Sequence, residues 1–238
     1  MTIQIEILYQ DNDITIVNKP ALMPVFPKVP MDEKDSLFGI VKNQIKNNLF
    51  PIHSIDQDAS GIIIFAKNKT ARSFLSVQFK DELVKRQFSA LLGGVLQDEE
   101  GMIEKSIFIS KKEIRLDERG KRALTKYKVL EKFNGYTFVL AEPQTQICSQ
   151  IRLHFHCIGH PLAIDNRYSV NEPIFLSSFK RNYKLKDKEI EKPLLSRLPL
   201  HLSQITIKMP LDNTEKTFVS KLPKDIEITL KQLRKYCK

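Results

Sequence analysis

The sequence predicts an α+β fold, a mixed and mostly antiparallel central sheet flanked by helices. Three observations carry that reading. Residues 101–140 alternate apolar and polar side chains through "MIEKSIFIS", "ALTKYKVLEKF" and "YTFVLAEP", with Gly120 and Gly135 as turn signals. Other stretches place apolar residues at helical spacing. The two kinds of segment are interspersed without an internal repeat or a low-complexity linker, which favours one domain over residues 1–238.

The opening "IEILYQDNDITIVNKP" reads as two short strands around the polar turn Gln10–Asp13. Prolines from Pro20 to Pro30 interrupt regular structure. In "DSLFGIVKNQIKNN", Asp35 is the capping candidate, and Leu37, Val41, Gln44 and Ile45 lie near helical spacing. A strand follows over Ile62–Ala66, then an amphipathic helix in "KTARSFLSVQFKDEL" through Ala71, Phe74, Leu75, Gln78 and Phe79. "VKRQFSALLGG" is a strand stopped by Gly93 and Gly94. "SQIRLHFHCIGHP" fits two patterns: Ile151, Phe155 and Ile158 have helical spacing, while Ile151, Leu153, Phe155 and Cys157 alternate. The stop at Gly159 and Pro161 favours the helix. Charged residues crowd 176–198, "HLSQITIKMP" returns to strand, and "PKDIEITLKQLRKY" ends as a helix.

The 238 residues hold 38 Lys and Arg against 28 Asp and Glu, a net charge of +10. That excess suits a polyanionic partner, nucleic acid ahead of an anionic membrane surface, and equally suits a merely solubilising surface. The cysteines, Cys148, Cys157 and Cys237, show no CxxC spacing and fit a reducing compartment without a disulfide framework. The start "MTIQIEILYQDND" meets polar residues too early for a signal peptide. No apolar run approaches the ~18 residues of a membrane span. A cytoplasmic protein without membrane segments is expected.

The five histidines, His53, His154, His156, His160 and His201, do not converge on a zinc pattern. His156 and His160 stand four apart, but His160 lies past the glycine stop and no acidic residue separates them. No metal site is predicted, and no P-loop, dinucleotide fingerprint or nucleophile elbow is present. Asp56 and Asp58, in "HSIDQDASG" (53–61) before the apolar "IIIFAKN", are too close in sequence to oppose each other across a substrate as glycosidase carboxylates do. Either one of them is a reactive carboxylate or the pair belongs to a structural turn.

Four stretches in order resemble the RluA-like family of RNA pseudouridine synthases. "ILYQDNDITIVNKP" resembles the family's opening strand pair. "HSIDQDASGIIIFAKN" is similar to its His-Arg-Leu-Asp-x-x-Thr-Ser-Gly loop and following strand. "QFKDELVKRQFSALLGG" resembles the helix end and basic strand after it. "PQTQICSQIRLHFHCIGHPLAIDNRY" resembles the late Gln-Ile-Arg-x-His block with Gly-His-Pro and Asp-x-x-Tyr. "GKRALTKYKVLEKF" and "RLPLHLSQITIKMP" fit the spacers, so the likeness covers about residues 5–230.

The resemblance implies the pseudouridine synthase catalytic fold and isomerisation of an RNA uridine, in ribosomal or transfer RNA, with no cofactor. It places the catalytic carboxylate at Asp56 and its arginine partner at Arg152. It places substrate-binding positions at His53, Ser54, Phe88 and Ile151, with Lys19, Lys85 and Arg86 as phosphate contacts or structural support. A core Phe in a strand would explain Phe88 as well. Ser60-Gly61 would let the loop turn closely into the strand. The pattern starts near residue 5, so no separate S4-type N-terminal RNA-binding module is expected, and the chain is expected to be a monomer.

Four positions depart from the family pattern. Ser54 stands where the family has an arginine that fills the space of the flipped base, Phe88 where it has a tyrosine, Ile147 where it has a cation, and Ala59 where it has a threonine. Two readings follow. In one, the synthase is active and other cations hold the RNA: Lys180, Arg181, Lys184 and Lys186 in "FKRNYKLK", a run that also reads as a solvated edge. In the other, the chain is an RNA-binding relative with lost or weakened catalysis.

Overall fold

One carboxylate closes the first turn. Asp11 Oδ1 accepts from the N–H groups of Asp13 and Ile14, each at 2.8 Å, between β1 (Glu6–Gln10) and β2 (Ile14–Lys19). The computed structural model describes residues 3–27, 33–110, 113–169, 172–184 and 190–237. Its strands form a mixed, mostly antiparallel central sheet of ten strands, as the alternating stretches predict. Contacts divide the chain into two compact units. One comprises Met1–Phe88, Glu142–Cys148 and Leu202–Lys221; the other comprises Ser89–Ala141, Ser149–His201 and Leu222–Lys238.

In the first unit, β1 and β2 pair antiparallel, and β2 pairs antiparallel with β4 (Ser60–Ala66), Lys19 opposite Gly61 and Ile14 opposite Ala66. The short β3 (Phe50–Pro51) pairs with the far end of β4. Every residue of β4 is buried, which is why "SGIIIFA" reads as an unbroken apolar run rather than an alternation. β11 (Leu200–Lys208) follows β4 in the sheet order, with β12 (Glu215–Val219) antiparallel to it, and β5 (Lys85–Gly93) comes after β11. Two helices belong to this unit. α1 (Leu37–Ile45) is capped by Ser36, whose side chain accepts from Gly39 N at 3.2 Å, and not by Asp35. Asp35 instead ends a 3-10 turn, Glu33–Asp35, which moves the cap one residue on. α2 (Lys69–Lys80) is capped by Asn68, accepting from Ala71 N at 2.8 Å. Leu37 and Val41 of α1 pack with Val17, Ile63 and Phe65 in one apolar core.

In the second unit, β6 (Glu100–Glu104) pairs antiparallel with β9 (Leu124–Phe133), β7 (Ile107–Ile109) with β8 (Ile114–Leu116), and β10 (Tyr136–Pro143) follows β9 in the sheet order. α3 (Gln150–Cys157) is helical, as its glycine stop predicts: Gly159 sits at φ 80° and its N–H reaches His156 O at 3.1 Å. Residues Gln150 to Phe155 are all buried, polar Gln150, Arg152 and His154 included, so this stretch has no solvent-facing stripe, and alternation and helical spacing both match. α4 (Lys224–Tyr236) buries Ile226, Thr229, Leu230 and Leu233 at helical spacing, against a core including Leu91, Phe138 and Ile164. Its first turn is tied by Asp225, which takes two hydrogen bonds of 2.7 Å from Arg197.

Gly61 is the point where the 53–61 loop enters the sheet. Its φ is 125°, and a Cβ built there would stand 2.5 Å from the backbone N of Leu202 on β11 and closer still to its carbonyl oxygen. No side chain fits without moving a strand. Gly61→Ala should destabilise the protein by about 3 kcal/mol or more, read from urea unfolding midpoints. A loss below about 1 kcal/mol would show that the strands yield cheaply at this crossing.

Candidate active site

The loop that carries Asp56 is held from beneath. Lys19, at the end of β2, is 0% exposed, and its ammonium donates to the carbonyls of Pro20 (2.9 Å), Met23 (2.8 Å) and Gln57 (2.9 Å). The three carbonyls match the three N–H donors of the group, so a buried charge is solvated by backbone dipoles. The third of them belongs to the residue after Asp56. On the other side His53 is buried, stacks on Phe79 with centroids 4.7 Å apart, and accepts from Ile64 N through Nε2 at 3.1 Å. Burial, and then the charge of Arg86, push His53 from its ordinary 6.5 down to about 3. The ring is therefore neutral at physiological pH, with Nε2 as the acceptor.

Asp56 itself is half-buried, and the turn behind it closes through Ala59 N to Asp56 O at 3.1 Å. The Cys148 thiol donates to Asp56 Oδ1 at 3.9 Å. The segment 142–148 serves this unit three times: Cys148 meets Asp56, Thr145 O accepts from Arg86 Nη2 at 2.9 Å, and Glu142 accepts from Gln87 at 2.7 Å. Burial pushes the Arg86 guanidinium down to about 10 against the opposing charge of Glu82, so it stays cationic at neutral pH. Lys85 is exposed and pairs with Glu215 at 3.1 Å, an exposed pair of small energetic weight. Ser54 is exposed, and Phe88 is 6% exposed. Asp56, Lys19, His53, Arg86 and Cys148 thus belong to the first unit together. Cys148 was not among the candidates read from sequence, where the only signal was its place in "QICSQ".

Arg152 and Ile151 lie in the second unit, on α3, both buried. Arg152 is 2% exposed and Asp165 1%, and they form a two-point ion pair: Nε to Oδ2 at 2.8 Å and Nη2 to Oδ1 at 2.5 Å. Nη2 also reaches Asn166 Oδ1 at 3.1 Å, and the guanidinium lies 5.2 Å from the Tyr168 ring. Burial resists ionisation of Asp165, but the Arg152 hydrogen bonds, the N–H groups of Arg167 and Tyr168 and the guanidinium charge outweigh it and hold the carboxyl below its ordinary range. Asp165 is the acidic residue of the Asp-x-x-Tyr element, and its pairing with Arg152 was not read from the sequence. At the helix start, Gln150 donates to Leu124 O and Thr125 Oγ1, both at 2.9 Å.

Of the cations in "FKRNYKLK", Lys180, Arg181 and Lys184 lie in the second unit, with Arg181 and Lys184 exposed, and Lys186 lies outside the described residues. Among the described residues no group of three His, Cys, Asp or Glu side chains is arranged to hold a metal, and no helix is long and apolar enough to cross a membrane.

The chain is similar to known proteins. A family model described as RNA pseudouridylate synthase matches residues 13–157. The dual-specificity RNA pseudouridine synthase RluA of Haemophilus influenzae is 32% identical over 91% of this chain and 93% of its own. The protein of the same name from Haemophilus ducreyi is 33% identical over 90% and 94%. The ribosomal large subunit pseudouridine synthase C of Buchnera aphidicola is 29% identical over 93% and 68%. Among solved structures, human RNA pseudouridylate synthase domain containing 4 superposes with a TM-score of 0.72 at 22% identity, covering 96% of this chain and 93% of that one, a likeness of fold.

Two outcomes follow from the buried groups. The unfolded chain protonates His53 near 6.5 while the folded chain resists until about 3, so its stabilising contribution is complete above that upper value and is lost as pH falls. Between pH 7 and 5 the wild type should lose about 2 kcal/mol more stability than His53→Gln in urea titrations, and equal losses would clear the ring of the effect. Asp165→Asn should cost about 3 kcal/mol by leaving the Arg152 charge buried without its carboxylate. Replacing both, Arg152→Met with Asp165→Leu, should recover most of that loss in the same titration; a single-variant cost below about 1 kcal/mol would contradict this account.

Proposed function

The chain belongs to the RNA pseudouridylate synthase family and is an RNA pseudouridine synthase, and from that premise we propose that Asp56 is the carboxylate that isomerises a uridine in ribosomal or transfer RNA. In this reaction the bond from the ribose C1′ to N1 of uracil breaks, the base turns, and C1′ bonds to C5, whose proton leaves to solvent while N1 ends protonated. Asp56 acts ionised, either by attack or by removing a sugar proton. The target base leaves the RNA stack before it can present C1′ to a protein side chain, which makes base flipping part of the reading. Arg152 is the second catalytic residue, oriented by its two-point bond to Asp165. Arg86 supplies positive charge beside His53 of the loop, Lys85 is a phosphate contact at the start of the same strand, and Phe88 supplies the ring at the family's tyrosine position. The enzyme acts in the cytoplasm without a cofactor.

The observation that carries the proposal is the anchoring of the Asp56 loop: Lys19 and His53 fix its path while Asp56 remains accessible. Such pre-positioning is what a reacting carboxylate needs, and a purely structural turn would not need two buried polar anchors. The relatives named for the large ribosomal subunit favour ribosomal RNA as the substrate class. The second reading, RNA binding with weakened catalysis, draws on Ser54, Phe88 and Ile147, where a cation, a hydroxyl and a second cation of the family pattern are missing.

The test is release of tritium from RNA labelled at uracil C5. Wild-type protein should release label from cellular RNA, and Asp56→Asn should lower the single-turnover rate by about 1,000-fold or more. Binding without any release would favour the second reading, and retained activity in Asp56→Asn would move the site elsewhere.

A further inference from the structure

A second cluster of cations lies in the second unit, where residues 177–181 meet the end of α4. Together with the turn at Asn134 and Tyr136 they enclose a cavity of about 770 Å³, within the range that takes a nucleotide-sized ligand. Its cationic walls are Lys180, Arg181 and Lys235, and Ser177 and Tyr236 offer hydroxyls, while the Ser178 hydroxyl donates to Phe175 O at 2.6 Å. What holds these cations is unusual. The Lys180 ammonium lies 5.5 Å from the Tyr183 ring and 5.5 Å from the Tyr236 ring, and Lys235 lies 5.2 Å from the Tyr236 ring. Among the described residues no carboxylate pairs with Lys180, Arg181 or Lys235; Glu191 meets this segment through the Ser177 N–H, at 2.9 Å.

An aromatic face orients an ammonium through its quadrupole and leaves the positive charge intact, whereas a carboxylate would cancel it. Lys180 and Lys235 are therefore preorganised and still cationic, and Arg181 adds an exposed charge beside them. The negative end of α4 accounts for Lys235 in its last turn, but not for Lys180 and Arg181, which come from a different segment. A hydrogen bond from Lys235 draws the Tyr236 phenol below its ordinary range against desolvation, with the charges of Lys180 and Lys235 adding to the pull.

We propose that this pocket is a phosphate-binding subsite for the RNA backbone, in which Lys180, Arg181 and Lys235 take the anionic oxygens and the Ser177 and Tyr236 hydroxyls complete their coordination. The inference rests on the RNA reading above for its ligand, and it adds the cation Lys235 and the phenol of Tyr236 to the residues read from sequence. Phosphate contacts of this kind set affinity and register and leave sequence choice to other groups.

The test is RNA affinity by fluorescence anisotropy over a salt series with the full chain. Lys180→Gln with Lys235→Gln should weaken binding about tenfold near 100 mM salt and flatten the plot of log affinity against log salt by about 1 to 1.5. Lys180→Arg with Lys235→Arg keeps the charges and should restore both values. Lys126→Gln with Lys128→Gln, an equal charge loss at exposed positions of β9, should behave as wild type. If the pocket pair and the β9 pair lose affinity equally, or neither does, the subsite is refuted. Absence of tritium release by wild type would overturn the isomerase reading alone, because the pocket is scored by binding.

Discussion

A buried ammonium organises the first unit. Lys19 has left water entirely, and a bare charge in that position would cost far more than a folded domain can spare. Three backbone carbonyls make it tolerable, and each belongs to a different stretch of chain: the strand end at Pro20, the turn at Met23, and the loop at Gln57. Satisfying one side chain thus fixes three pieces of backbone at once. The same register that sets Lys19 opposite Gly61 brings the loop exit against β11, where the backbone of Leu202 leaves no room for a Cβ. Strand pairing, loop path and the position of Asp56 are therefore one constraint seen at three places.

The second unit uses the complementary device. Arg152 and Asp165 are both buried, and their two-point pairing offsets the cost of burying both charges. A buried pair of this kind adds little net stability over an apolar pair, but it holds a planar guanidinium in one orientation. The pocket at the end of α4 solves a related problem with rings in place of carboxylates, so its charges are fixed but not neutralised.

Much of the architecture was legible because its period is strong. β1, β2, β4, α2, β11 and α4 fall where alternation, an apolar run or helical spacing places them. β12 escaped notice because only Phe218 of "EKTFV" is buried, so an edge strand held by pairing and by the Thr206–Thr217 hydroxyl contact at 2.8 Å shows no pattern. The cap of α1 was misplaced by one residue because Asp35 and Ser36 are both good caps, and the preceding 3-10 turn decides between them. In the site, Asp56 and Arg152 stand out by resemblance to known motifs. Asp165 lies in the Asp-x-x-Tyr of the same block but without an assigned role, and Cys148, Lys235 and Tyr236 belong to no motif, because their significance lies in partners brought close by folding: Arg152 and Asp165 are 13 positions apart in sequence, and Asp56 and Cys148 are 92 apart.

The way the 53–61 loop is fastened has a consequence for how such proteins diverge. Its anchors, Lys19 below and the His53 ring on Phe79, grip main chain and a single inward ring. The outward position Ser54 takes no part in those anchors and is exposed. Lineages can therefore exchange what stands there without unfolding the loop, and chemistry at the rim is free to wander while the scaffold under it stays put.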